Sequence, residues 1–301
     1  MPAGTFILGK HRSGTTWLGN LLCQHPDIYG VQNPQEHGIW ESAYFSGLCR
    51  QIRRDPRTPE GFRRWTEVVS QTNYIRFSLF PVEKLAGIGP DTCSELFRKI
   101  MDYCANAAGA RVWIEKTPAH TLLAKRIARE YPDARFLSIR RNFDGWLRSS
   151  IRFSEQRRHQ RATPCLMRLF LTARVVASRI RYEKALRCLR GSYKERLLEV
   201  NYADLIRDRE QTLRRICDFL GLANFAKEPG DVYTPNSSFK PGDERHSSLS
   251  EGQLVFGRAV YGFLQLLPRW LIEAPSALRN AMRRPKLPSW TWADASRHEH
   301  T

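Results

Sequence analysis

One local pattern near the N-terminus restricts the architecture more than any other: an apolar run, a glycine-bracketed turn and an amphipathic run follow one another without a gap. Thr5-Phe6-Ile7-Leu8 reads as a buried strand, Gly9-Lys10-His11-Arg12-Ser13-Gly14-Thr15-Thr16 as a turn, and Trp17, Leu18, Leu21 and Leu22 recur at helical spacing. A strand that enters a helix through so short a turn opens a βα unit. The turn aims several backbone N–H groups and the positive end of a helix dipole at one point, where an anion binds with little further help. The two glycines are spaced as in a nucleotide triphosphate loop, yet the position after Gly14 that should carry lysine holds Thr15, and the cation lies upstream at Arg12. That lysine reaches the terminal phosphates, so its absence argues against an ATPase or kinase and leaves a turn suited to a smaller anion. Taken alone, a glycine turn also fits an ordinary βα connection.

Downstream, short apolar runs at 28–31, 111–114, 135–139 and 197–200 alternate with helical patterns at 14–24, 122–131, 143–153, 164–189 and 208–220. This alternation predicts an α/β fold of three layers, a central parallel sheet with flanking helices and a P-loop-like nucleotide-binding turn after the first strand. Between residues 46 and 95 the pattern is irregular and mostly helical, as expected of an insertion that shapes a pocket above the strand ends. Nothing resembling a linker divides the 301 residues. A single domain over 1–283 is expected, followed by a loosely ordered tail over 284–301.

Composition narrows the classes further. An apolar content of 42% and eight Trp exclude a disordered chain, and no apolar run approaches the roughly 20 residues that cross a bilayer. The chain opens directly into a strand rather than into a leader, and its seven Cys are scattered without a Cys-x-x-Cys, so a cytoplasmic protein without a zinc site or disulfide framework is expected. A net charge of +18 points to contact with phosphate, sulfate, nucleic acid or an anionic membrane face. Arg269, Arg279, Arg283 and Arg284 surround Trp270, Leu271 and Leu278, which reads either as an amphipathic helix making peripheral membrane contact or as a helix packed on the chain's own core.

Residues 10–18, Trp17 included, resemble the 5'-phosphosulfate loop of the sulfotransferases that use 3'-phosphoadenylyl sulfate (PAPS). His25-Pro26-Asp27, Glu115-Lys116-Thr117-Pro118 and Tyr131-Pro132-Asp133-Ala134-Arg135-Phe136 are similar to segments of the carbohydrate and bacterial branches of that family. Tyr202-Ala203-Asp204-Leu205 with Phe219-Leu220-Gly221 resembles a further family stretch, and Ser237-Ser238-Phe239-Lys240 the adenine-side segment of the cytosolic members. The resemblance implies an enzyme that moves a sulfonate from PAPS to a hydroxyl or amine, leaving adenosine 3',5'-bisphosphate. It implies that Arg12, Ser13, Gly14, Thr15 and Thr16 hold the 5'-phosphate and the departing sulfonate. For the 3'-phosphate it implies an Arg at a strand end and a Ser on the next helix. Here Arg140, Arg141, Asn142, Asp144 and Ser149 supply those parts, without the family's usual Pro. Counted from Asp144 the register selects Arg140; counted from Ser149 it selects Arg141. Tyr202, Ser238 and Phe239 would border the adenine, although core packing accounts equally well for Tyr202 and Phe239.

Sulfonate transfer needs in-line attack, stabilisation of charge on the leaving oxygen and a base for the acceptor's proton. Arg12 and Lys116 are the candidate cations, and no metal is required if they do this work. The cytosolic branch puts a His base two residues beyond the Lys equivalent to Lys116, where this chain has Pro118. The branch with a Glu base has a stretch similar to Asn33-Pro34-Gln35-Glu36-His37, which selects Glu36. A carboxylate half-buried beside the donor has its pKa raised toward neutrality and accepts a proton efficiently. His37, Glu41 and His120 compete for the role. The acceptor is left open among carbohydrates, glycolipids and small metabolites, with the positive charge favouring an anionic one. A basic nucleic-acid- or membrane-surface-binding protein on the same scaffold, without catalysis, is the rival reading; the resemblance makes nucleic acid an unexpected partner.

Overall fold

Strand-forming runs that are apolar on both faces need cover on both faces, and the observed sheet supplies it. The structure, a computed structural model, describes residues 2–33, 38–156, 165–230, 249–268 and 271–272. Strands β1 (Ala3–Leu8) and β2 (Ile28–Gly30) are followed by a small antiparallel pair, β3 (Gln32–Asn33) and β4 (Gly38–Ile39), and then by β5 (Val112–Glu115), β6 (Arg135–Arg140) and β7 (Leu197–Asn201). The main sheet has five strands in the order β2-β5-β1-β6-β7, every neighbouring pair parallel. All the expected strands are present, displaced by a residue or two at their ends; the β3–β4 pair was not expected.

Helix α1 (Thr15–Leu22) follows the first turn. Helices α2 (Cys49–Ile52), α3 (Pro59–Ser70), α4 (Asn73–Phe77) and α5 (Cys93–Ala107) fill the stretch between β4 and β5, and α6 (Ala124–Glu130) leads into β6. Then come α7 (Phe143–Gln156) and α8 (Cys165–Ser192), α9 (Tyr202–Arg207) and α10 (Arg209–Leu220) after β7, and α11 (Glu251–Leu266). Three of these, α5, α9 and α11, were not among the expected helices. α5 starts where the Thr92 hydroxyl accepts the Glu95 N–H at 3.2 Å, and α11 where Ser250 and Gln253 cap each other reciprocally.

β1 is the centre of the molecule. Successive side chains of a strand point to opposite faces, so Phe6 packs among Phe45, Trp113, Tyr131 and Phe136 on one face while Ile7 packs against α1, α9 and α10 on the other. A third apolar cluster joins α7, α8 and α11, including Trp146, Leu147, Val176, Ile180 and Leu254. Gly257 lets α11 lie against α7, since a Cβ there would meet Leu147 at 2.6 Å. Among the described residues no helix is long and apolar enough to cross a membrane. The expected tail over 284–301, together with Arg269, Trp270, Leu278, Arg279, Arg283 and Arg284, lies outside the described residues.

Candidate functional site

The turn after β1 sits at the C-terminal edge of the sheet, where open α/β sheets bind ligands. Its shape comes from left-handed residues close together: Arg12 at φ 73° and Gly14 at φ 99°. Such alternation turns consecutive amides toward one concave side. Gly14 caps α1 with no side chain, and the first-turn N–H groups of a helix have no acceptor inside it, so they point into the same concavity. The turn is clamped from outside. Thr121 Oγ1 accepts the Gly9 N–H at 2.9 Å and donates to the Gly9 carbonyl at 3.3 Å, and Trp146 Nε1 donates to the His11 carbonyl at 3.0 Å. Neither Thr121 nor Trp146 was anticipated; each belongs to an element distant in sequence.

Arg12 bends toward α7, its Nε donating to Ser149 Oγ at 3.1 Å and its guanidinium lying 5.0 Å from the Phe153 ring. The two adjacent arginines after β6 diverge. Arg141 turns onto the loop, with Nη1 3.5 Å from the Arg12 carbonyl and its guanidinium 4.6 Å from the Tyr202 ring. Arg140 stays on the sheet edge, half-exposed and 3.9 Å from Glu199. Of the two arginines, the one counted from Ser149 lies on the loop and the one counted from Asp144 on the sheet edge, while Asp144 is paired with Arg258 of α11. Tyr202 meets Trp17 edge to face at 5.2 Å and closes over Gly14, where a Cβ would stand 2.5 Å from the ring. The Arg209 guanidinium lies 5.7 Å from the Trp17 ring.

Lys116 follows the end of β5, next to β1 in the sheet, and is only 2% exposed; its Nζ donates to Glu41 Oε1 at 2.9 Å. The residues around it form a buried network centred on Glu115. This carboxylate accepts from Ser42 Oγ at 2.7 Å, Thr117 Oγ1 at 2.5 Å and His120 Nδ1 at 2.7 Å. Burial pushes the Glu115 carboxyl up, but His120 and the hydroxyl donors outweigh it, and the group ends below its ordinary 4.5. Thr117 Oγ1 also accepts the Ala43 N–H, so the network fixes the 42–45 segment and with it Glu41 beside Lys116. His120, a candidate base on sequence, is part of this scaffold. The Phe45 N–H donates to its Nε2 at 3.2 Å, which puts the proton on Nδ1 facing Glu115. Fully buried and with both ring nitrogens committed, it has none left for an acceptor's proton.

The loop residues Arg12 to Trp17, Arg141, Ser149 and Tyr202 are thus gathered at one sheet edge, and Lys116 with Glu41 stands at the neighbouring strand end. Glu36 and His37 lie outside the described residues, as do Ser238 and Phe239. The strands flanking 34–37 end against α1, where Asn20 Oδ1 accepts the Ile39 N–H at 2.8 Å. Beside the loop, on the side of Lys10 and His11, a cavity of about 790 Å³ opens between α7, α8 and α11. Lys10 lies against it with Nζ 4.4 Å from the Tyr182 ring, its pKa lowered to about 8 by burial and by Arg181. Sequence reasoning passed over Lys10, Arg181 and this cavity, because no local pattern brings α8 to the loop.

Comparison with known proteins adds independent information. A profile described as the sulfotransferase family matches residues 4–227. Nodulation protein NoeE of Sinorhizobium fredii is 31% identical over 144 residues, which amount to 47% of this chain but only 29% of that protein, so the match spans less than a third of its length. The crystal structure of a sulfotransferase from Alicyclobacillus acidocaldarius superposes with a TM-score of 0.52 at 19% identity, covering 93% of this chain and 99% of that one, which supports the same fold. A mouse sulfotransferase solved with PAP aligns over 93% of this chain and 89% of its own, at 11% identity and a TM-score of 0.44.

Proposed function

Because the chain belongs to the sulfotransferase family, we propose that it transfers a sulfonate group from PAPS to a hydroxyl or amine of an acceptor. The observation that carries this reading is the convergence of Arg12, Arg141 and Ser149 on a turn whose amides already form an anion cradle. The donor set suits a nucleotide with phosphates at both ends. The amides of residues 14–16, the Ser13 hydroxyl and Arg12 hold the 5'-phosphosulfate end, the Ser13 N–H being given to the Lys10 carbonyl at 3.0 Å, and Arg141 with Ser149 holds the 3'-phosphate through a charge-assisted guanidinium contact and a hydroxyl. Trp17 and Tyr202 flank the base; the resemblance adds Ser238 and Phe239, outside the described residues, as further adenine contacts. When bound, the donor supplies an electrophilic sulfonate on a phosphate leaving group.

The chain's own groups complete the chemistry. Arg12 and Lys116 stabilise the negative charge that grows on the leaving oxygen. Glu36 takes the acceptor's proton; Glu41, hydrogen-bonded to Lys116 and 40% exposed on its side chain, is the alternative. Cys23, Cys49, Cys93, Cys104, Cys188 and Cys217 are free thiols, which supports a cytoplasmic setting.

The test is transfer of radiolabelled sulfonate from PAPS by the purified chain, together with calorimetric binding of adenosine 3',5'-bisphosphate. Arg12→Ala is expected to abolish nucleotide binding; unchanged binding overturns the loop assignment. Glu36→Gln is expected to keep nucleotide affinity and lower turnover by roughly a hundredfold, and near-normal turnover with a large loss in Glu41→Gln would move the base to Glu41.

A further inference from the structure

We infer that the acceptor is an anionic amphiphile, bound with its apolar body in the cavity between α7, α8 and α11 and its charged group at Lys10 and Arg181; this rests on the sulfotransferase reading. At about 790 Å³ the cavity has the size of a small-molecule site. One end is closed by the turn itself through Lys10, His11 and Arg12, so whatever fills it reaches the cradle where sulfonate would be delivered. Its walls are carbon: Trp146 and Phe153 from α7, Phe170 and Val175 from α8, Val260 and Leu264 from α11. A purely polar acceptor would leave those walls without a partner.

The charges at the neck point the same way. Among the described residues Lys10, Arg12, Arg174 and Arg181 line the cavity, and no Asp or Glu does. Two other arginines of α8 face carboxylates: Arg168 pairs with Glu155 at 2.8 Å and Arg179 with Glu183 at 2.7 Å. The Nε of Arg181 is buried with no hydrogen-bond partner among the described residues, as is Nη1 of Arg179, but of these two only Arg181 lines the cavity. An orphaned buried donor next to a second, partly desolvated cation is a costly arrangement that an anion relieves. The burial and the nearby guanidinium that hold Lys10 near 8 express the same strain. Arg12 also lines the cavity but donates to Ser149, and Lys10 and Arg181, which line it too, are the two assigned to the acceptor and not to the nucleotide. The anionic group therefore sits at the same end as the reacting hydroxyl or amine, with the carbon skeleton extending away between the helices.

The experiment titrates the full chain, saturated with adenosine 3',5'-bisphosphate, with three probes of equal length at neutral pH: octanoate, octanol and octylamine. Octanoate is expected to bind at least tenfold more tightly than octanol, and octylamine most weakly. Arg181→Gln should bring octanoate down to the level of octanol while leaving octanol unchanged. Ala177→Trp, which fills the cavity, should remove binding of all three. Both variants should keep wild-type affinity for the bisphosphate, which also reports that they fold. Equal affinities for octanoate and octanol, or octanoate binding that survives Ala177→Trp, overturn this inference and leave the sulfotransferase reading intact. Failure of the wild type to bind the bisphosphate overturns that reading, and the inference with it.

Discussion

Arg140 and Arg141 are neighbours in sequence, and exchanging their roles would leave the composition untouched, so removing each in turn tests the site sharply. Arg140 is the last residue of β6, paired in register with Asn201, and its side chain reaches only to 3.9 Å from Glu199. Arg141 crosses to the loop, 3.5 Å from the Arg12 carbonyl and 4.6 Å from the Tyr202 ring, with its own carbonyl held by Arg179 at 3.1 Å. A hydrogen bond between charged groups contributes about 1.5–3 kcal/mol, and each ~1.4 kcal/mol is a factor of ten in affinity. Arg141→Ala should therefore weaken adenosine 3',5'-bisphosphate by about 10- to 100-fold. Arg140→Ala removes a long, exposed ion pair worth at most about 1 kcal/mol of stability and should leave nucleotide affinity within about twofold. Calorimetry at one fixed ionic strength, using the bisphosphate and adenosine 5'-monophosphate in parallel, isolates the 3'-phosphate. Arg141→Ala should erase the advantage of the bisphosphate over the monophosphate. Equal losses from the two alanine variants, or a loss in Arg141→Ala that is the same for both ligands, would refute the assignment.

Three further outcomes follow from the geometry. Gly14→Ala forces an L-residue into φ 99° with its Cβ 2.5 Å from the Tyr202 ring, which should cost about 2–4 kcal/mol and reduce bisphosphate binding; a urea midpoint equal to wild type would refute the close approach. Glu115→Gln should cost about 1–3 kcal/mol at neutral pH by leaving a buried donor or acceptor unmatched. Because the folded carboxyl lies below its ordinary 4.5, the stability it confers is complete above that pH and is lost as pH falls through the lower folded value. Wild type and Glu115→Gln should thus converge in acid when unfolding is followed against pH, and parallel curves would contradict the network. Lys116→Met should lower single-turnover sulfonate transfer by about a hundredfold or more while bisphosphate affinity stays near wild type, and an equal loss of both would assign Lys116 to nucleotide binding.

What was legible in the chain was what is encoded over a dozen residues. The β1–turn–α1 unit depends on a run of apolar residues, glycine where φ is positive and helical spacing after it, all within residues 5–22, and it appears where expected. The parallel sheet follows from the same kind of local signal repeated, as do most of the helices. The α5 and α11 starts were legible too, through Thr92 with Glu95 and Ser250 with Gln253, although they were passed over.

The chemistry of individual side chains was a different matter. Whether Arg140 or Arg141 faces the loop depends on the direction in which the chain leaves β6, and that direction is set by packing against α8 and Tyr202. His120 looked like a base until the Phe45 amide and the Glu115 carboxylate were found on its two nitrogens, one contributed by a segment far upstream. Lys10 and Arg181 are more than a hundred positions apart, and only the docking of α8 against the loop turns two ordinary basic residues into a charged neck above an apolar cavity. Backbone shape is chosen by short-range sterics and hydrogen bonding, so the sequence alone determined the scaffold and the shape of its first turn. Side-chain roles depend on desolvation and on partners brought together across the fold, and those exist only once the helices have packed.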